Sequence, residues 1–85
     1  MLITLDAKSE GNKFPTSALD EMDETMSKMG CVREARTVIE WGKSYSTSYE
    51  GPDLDNSKIQ ESITPIATKY SLKISVEKEE SHHFP

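Results

Sequence analysis

Four acidic residues, Asp20, Glu21, Asp23 and Glu24, form the densest charge cluster of the sequence. On a helix, such a cluster is either a solvated face or a docking surface for a basic partner, such as a protein that handles nucleic acid. Negative charge concentrates in residues 1–30 and 51–85, whereas acidic and basic residues balance between 31 and 50. Asp20, Asp23 and Glu24 are therefore candidate partner-binding residues.

A second group of candidates combines aromatic rings with a cation. Tyr45 and Tyr49 fall on one side of a strand, and Arg36 shares that side if the preceding segment pairs with it. Paired aromatics beside basic residues bind RNA on some sheets. The glycine-and-aromatic motif of RNA-recognition domains is missing, however, and a net charge of −5 opposes phosphate. We therefore assign these three residues to a protein interface and expect no direct binding of nucleic acid.

Few residues have types suited to catalysis. Asp6 stands near the end of the first predicted strand, where some small nucleases carry an aspartate, but one carboxylate is a nonspecific feature. Cys31 has no histidine nearby in the sequence, because His82 and His83 both lie in the carboxyl-terminal tail, so a nucleophile–histidine pair is not expected. A small ribonuclease acting at Asp6 remains an alternative to a non-enzymatic protein.

Metal and cofactor motifs are also missing. The four glycines are far apart, so no phosphate-binding loop is present. Asp53 and Asp55 resemble the start of a calcium loop, but Lys58 occupies its glycine position and Thr64 the position of its bidentate glutamate. We expect neither a metal nor a cofactor.

Length and composition limit the remaining possibilities. The chain has 85 residues, of which 34% are hydrophobic and 29% charged, which suits one small domain with a modest core. No apolar run approaches the roughly 18 residues of a membrane-spanning helix, and a single cysteine closes no internal disulfide. We expect a cytoplasmic protein. Formation of a homodimer would bury additional apolar surface and so compensate for the small core.

The amino-terminal half begins with a strand and a helix. Ile3, Leu5 and Ala7 alternate with polar residues, as in a half-buried strand. A helix is then predicted from Thr16 or Ser17, whose hydroxyl would cap it together with an acidic residue three or four positions later, and Gly30 would end it. Its apolar stripe is Leu19, Met22, Met26 and Met29.

Residues 31–50 allow two interpretations. In the favoured one, Val32–Trp41 and Ser44–Tyr49 form a hairpin around Gly42-Lys43, and opposed residue numbers sum to 85. In the other, Val32–Trp41 is a helix. The hairpin places Ile39 and Trp41 on one face and both tyrosines on the other. We expect the Ile39 and Trp41 face to lie under the helices, which would leave Tyr45 and Tyr49 exposed.

The carboxyl-terminal half repeats the strand-and-helix pattern. Ile59, Ile63 and Ile66 mark a second helix, in which Pro65 predicts either a kink or a break. Leu72, Ile74 and Val76 mark a last strand. We expect one domain over residues 1–77, followed by a flexible polar tail over 78–85.

The predicted order is strand, helix, strand, strand, helix, strand. This order indicates an α+β two-layer sandwich, in which a four-stranded antiparallel sheet carries both helices on one face: the ferredoxin-like arrangement. The function expected from these sequence features is that of a small acidic, non-enzymatic protein-binding module, which regulates or inhibits a larger protein. A nucleic-acid-handling protein is one candidate for that partner, as for phage-type inhibitors and antitoxins. Besides the ribonuclease, a ligand-sensing dimer is an alternative.

Overall fold

The computed structural model describes residues 1–11, 13–39 and 42–80, and over these residues the chain forms four strands and two helices. The elements are β1 (Leu2–Ser9), α1 (Ser17–Lys28), β2 (Val32–Ile39), β3 (Ser44–Glu50), α2 (Asn56–Tyr70) and β4 (Leu72–Glu79). The strands pair antiparallel in the order β2-β3-β1-β4, so β3 and β1 are central and β2 and β4 are edges. This confirms the predicted ferredoxin-like α+β sandwich.

The core lies between the sheet and the helices. Each buried face follows the period of its element: alternate residues in β1 and one stripe in each helix. The fully buried apolar side chains include Ile3, Leu5, Met22, Met26, Ile59 and Ile63. Neither helix of the described ranges has the length and apolar content that crossing a membrane requires.

Helix α1 ends as the sequence predicts but begins differently. Gly30 adopts a positive φ of 86°, which suits glycine, and the Cys31 amide donates to the Met26 carbonyl at 3.0 Å. The predicted side-chain cap is wrong, because Thr16 makes no capping hydrogen bond. Instead, the carbonyls of Pro15 and Thr16 accept the first helical amides at 3.0 Å.

The β2–β3 hairpin forms, but its register differs from the prediction. Ile39 pairs with Ser44 and Val38 with Tyr45, so opposed numbers sum to 83 rather than 85. The Lys43 carbonyl accepts the Ser9 amide at 2.9 Å, which ties the predicted turn to β1 instead of closing it tightly. Because this shift is even, residues 35–39 keep their predicted faces. Before Ala35 the register shifts again by one, so Arg33 pairs with Tyr49 and Val32 with Glu50, and these two residues exchange faces.

The prediction of which hairpin face lies under the helices is wrong. Tyr49 is 1% exposed and Tyr45 packs against the core, whereas Ile39 is 43% exposed on the opposite face. Because β3 is central, the helix-facing side of this strand is largely enclosed, with Thr47 and Tyr49 buried. That side takes its two tyrosines, and its three serines face outward. Trp41 lies outside the described residues.

Helix α2 continues through Pro65, so the predicted break does not occur. Proline has no amide to donate to the Glu61 carbonyl, but both residues are exposed, so water can reach that carbonyl. The following strand, β4, extends to Glu79, two residues beyond its predicted end. Residues 81–85 of the predicted tail lie outside the described residues.

Replacing Pro65 by alanine is expected to stabilise the protein by about 1–2 kcal/mol. The new amide restores a helical hydrogen bond to Glu61, and removal of the ring relieves a mid-helix cost of about 3 kcal/mol, partly offset by a freer unfolded chain. Urea unfolding measures the gain. Thr68→Ala, at another exposed site of α2, is the control and should change stability by less than about 0.5 kcal/mol.

Candidate functional site

Three of the six candidate residues bind one another beneath the β2 edge. Asp23 accepts hydrogen bonds from Arg33 Nη1 at 2.9 Å, from Arg36 Nη2 at 2.6 Å and from Tyr49 Oη at 2.6 Å. Arg36 Nε also donates to Thr47 Oγ1 at 3.0 Å. The network joins α1 to both strands of the hairpin, so Asp23, Arg36 and Tyr49 act together in holding the fold.

Burial decides the state of Tyr49 in this network. Loss of water around its ring, followed by its hydrogen bond to Asp23, raises the pKa of Tyr49 far above that of a free phenol. The hydroxyl therefore stays protonated and donates to the carboxylate. A neutral, enclosed tyrosine cannot form the exposed aromatic patch expected from the sequence.

Most of the acidic cluster on α1 is also paired within the chain. Glu21 contacts the Tyr70 hydroxyl and Lys69 Nζ, and these hydrogen bonds lower the pKa of Glu21. Glu24 lies 3.3 Å from Lys28 one turn later. Asp20 is exposed and, among the described residues, makes no ion pair. The negative field of this face is therefore weaker than the sequence suggests.

Tyr45, the remaining candidate, packs on the loop before α1. Its ring centroid lies 4.7 Å from that of Phe14, and the two ring planes are tilted by 59°, which is within the distance range of favourable aromatic pairs. Phe14 is itself buried. Tyr45 therefore seals the end of the core, and the structure does not bring it to an open surface with Tyr49.

The largest exposed apolar side chains of the described residues lie along one strand, β2. Val32 is 69% exposed, Val38 56% and Ile39 43%. Because β2 is an edge strand, one side of its backbone pairs with no other strand of the described residues. Free backbone groups beside exposed aliphatic residues are the features that attract another strand.

The opposite edge of the sheet, β4, lacks this combination. Its apolar residues Ile74 and Val76 pack partly against the core. Three of its four outward positions are charged, and the fourth is a serine: Lys73, Ser75, Glu77 and Glu79. Charged side chains on an edge discourage pairing with another chain. The two edges therefore differ in their capacity to bind a strand, and β2 is the open one.

The open face of the sheet is mostly polar. Asp6 lies near its middle, paired across the strands with Ser46 and Ser75, and three residues of β1 follow it. The expectation that Asp6 ends its strand is therefore wrong. Among the described residues, no group of three acidic, histidine or cysteine side chains is arranged to hold a metal ion. Nothing around Asp6 in the described ranges forms a recognisable catalytic set.

Cys31 has a structural environment. It is free and buried, and loss of water raises the pKa of its thiol, which lowers its reactivity. The backbone of Gly51 passes against it closely enough that a Cβ there would lie 2.5 Å from Cys31 Sγ. His82 and His83 lie outside the described residues.

In the loop before α2, Asp53 has a simple role. Its carboxylate accepts from Lys78 Nζ at 3.0 Å, and the same ammonium donates to the Leu54 carbonyl at 2.7 Å. The pair fastens the loop to β4.

No protein-family model matches this sequence, and no curated protein matches it. Among solved structures, the chain is similar to formyltetrahydrofolate deformylase from Burkholderia mallei, with a TM-score of 0.57 and 11% sequence identity. The similarity covers 89% of this chain and 27% of that one, so the chain spans about a quarter of the enzyme's length. At this identity, the likeness shows a shared fold.

Proposed function

We propose that this chain is a small, non-enzymatic protein-binding module that regulates or inhibits a larger protein, and that it binds through the β2 edge. The observation that carries the proposal is the exposure of Val32, Val38 and Ile39 along a strand that lies at the edge of the described sheet. Binding by strand addition takes affinity from backbone hydrogen bonds and specificity from the flanking side chains. β2 offers both.

The contacts below the edge support this choice of surface. Arg33 and Arg36 are held by Asp23, so the strand is anchored to α1 before any partner arrives. An anchored edge loses little conformational entropy when a strand pairs with it, which favours binding. The acidic residues of α1 support the proposal less, because Glu21, Asp23 and Glu24 already have partners.

Asp20 is the residue that supports a partner with basic side chains. It is exposed on α1, the helix that packs against β2. A partner whose strand pairs with β2 would extend over this helix face, where a lysine or arginine can contact Asp20. An exposed charge of this kind contributes chiefly to the rate of association and to specificity.

Affinity purification with edge variants tests the proposal. The tagged wild-type chain should retain a stoichiometric protein from a host lysate, and Val38→Lys should lose it, because a lysine blocks strand addition at an edge. Ser75→Lys, at an exposed site on the other edge, is the matched control and should retain the protein. Equal retention by both variants, or no stoichiometric protein with the wild type, would contradict the proposal.

A further inference from the structure

We propose that the strand bound at the β2 edge of the isolated protein is β2 of a second copy, paired antiparallel about a two-fold axis at Thr37. The inference rests on the proposed function, because both require this edge to bind a polypeptide. It adds the identity of the partner strand and its register. The result is one continuous sheet shared by two copies, which a larger partner must open to add its own strand.

The position of the axis follows from the geometry of β2. In a continuous sheet, directly opposed residues lie on the same face, so two copies related by a two-fold axis must pair residues of the same face. From Ala35 to Ile39, β2 pairs regularly with β3, but the register shifts between Arg33 and Ala35. Within the described part of β2, regular self-pairing is therefore available to residues 35–39, and an axis at Thr37 uses all of them.

The neighbouring axis positions are poorer. An axis at Arg36 would set two guanidinium groups directly opposite each other, and like charges in that position are destabilising. An axis at Val38 would pair only residues 37–39 of the described strand. A residue-centred axis is compatible with both kinds of antiparallel pair, hydrogen-bonded and non-hydrogen-bonded, so the backbone does not oppose Thr37.

The side chains that meet in this register are compatible. Thr37 faces Thr37 of the second copy, and hydroxyl pairs of this type are favourable across strands. Ile39 faces the small Ala35, so an exposed aliphatic group is covered without a clash. Val38 faces Arg36, whose guanidinium is turned to Asp23 and whose aliphatic stem is left for contact.

Charge does not prevent two copies from approaching along this edge. The chain carries a net charge of −5, but β2 contains two arginines and one glutamate. Both arginines are paired with Asp23, so the edge is locally close to neutral. A pairing of five residues from each strand is smaller than a standard stable interface, so we expect a dimer that dissociates on dilution.

Charge substitutions at the axis test the register. Thr37 is exposed, so Thr37→Glu and Thr37→Lys should both fold, which circular dichroism checks. Each variant brings two like charges together at the axis and should raise the dimer dissociation constant at least ~10-fold, as measured by sedimentation equilibrium. An equimolar mixture of the two should recover dimer, because each glutamate then meets a lysine. Ser75→Glu and Ser75→Lys should dimerise like the wild type.

The outcomes separate this inference from the proposed function. A wild-type chain that stays monomeric at high concentration, or Thr37 variants that dimerise as the wild type does, would overturn the inference. If a monomeric wild-type chain captures a larger protein and Val38→Lys does not, the proposed function holds without the dimer. A dimer that dissociates in both Thr37 variants and re-forms in their mixture supports the inference, whether or not a larger protein is captured.

Discussion

Asp23→Ala is expected to lower the free energy of unfolding by about 3 kcal/mol, which is a large effect for a residue that is only half-buried. The substitution leaves the Tyr49 hydroxyl, on a residue 1% exposed, without its acceptor. It also leaves the half-buried Arg36 guanidinium without its closest counter-charge. A buried donor or cation that loses its partner keeps the full cost of losing water. Urea unfolding followed by circular dichroism measures the loss.

Two further variants show whether the network or general surface charge is responsible. Asp23→Asn keeps one carbonyl oxygen for Tyr49 and Arg36, so it should cost less, about 1–2 kcal/mol. Glu24→Ala removes an acidic residue whose ion pair to Lys28 is exposed, and should change stability by less than about 0.5 kcal/mol. Equal effects of Asp23→Ala and Glu24→Ala would show that the network is not what holds the hairpin to α1.

The same network affects how binding experiments on the acidic cluster should be designed. Because Asp23 holds β2 in place, its loss can weaken strand addition without any direct contact to a partner. Asp20 has no such internal role among the described residues, so Asp20→Asn tests a basic partner without disturbing the edge. We expect slower association with unchanged stability for that variant, measured by surface plasmon resonance.

The order of elements was predictable because each one carries its own periodicity. The α1 stripe, the glycine after it and the alternation in β4 are local patterns, and local patterns survive folding when the core accepts them. The register of the β2–β3 hairpin, meaning which residues of the two strands pair, was not predictable in the same way. Its turn involves Lys43, whose carbonyl is bound by Ser9 of β1, a contact between residues far apart in sequence.

The orientation of the hairpin could have been predicted from the sequence by comparing entire faces. Ile39 and Trp41 are the bulkier apolar pair, but in the predicted hairpin Ser44, Ser46 and Ser48 lie on the face assigned to them, and in the structure Ile39 pairs with Ser44. Burying that face would enclose three hydroxyls on a central strand, which is costly without partners. The face with Tyr45, Thr47 and Tyr49 fills the same space and finds a partner for each buried polar atom in the described chain.

The candidate site was less accessible to sequence reasoning than the fold. The charge of Asp23 marks it as a candidate residue, but nothing in its local sequence shows that Arg33, Arg36 and Tyr49 converge on it. The exposed residues of β2 lie on both of its faces, so they produce no single apolar stripe. What distinguishes them is the position of β2 at the edge of the sheet, and that depends on the pairing of strands distant in the sequence.

Gly51→Ala is expected to destabilise the protein by about 2–3 kcal/mol, because the position has no room for a methyl group. A Cβ built there would lie 2.5 Å from Cys31 Sγ and 3.1 Å from its Cα and Cβ. Cys31 is buried, and its amide is bound to the end of α1, so neither its side chain nor its backbone can move away cheaply. The Gly51 amide donates to the Met1 carbonyl at 3.1 Å, which fixes the other side of the contact.

A double-mutant cycle identifies the clash as the cause. Cys31→Ala removes the sulfur, so Gly51→Ala should cost less in that background, with a coupling of about 1 kcal/mol or more. Rescue should be incomplete, because the Cα and Cβ of residue 31 remain close. Gly11→Ala is the matched control: its Cβ would meet only Ser9 Oγ at 3.8 Å, an ordinary contact, and stability should hardly change. Strictly additive effects of the two substitutions would mean that Gly51 is needed for its backbone rather than for its closeness to Cys31.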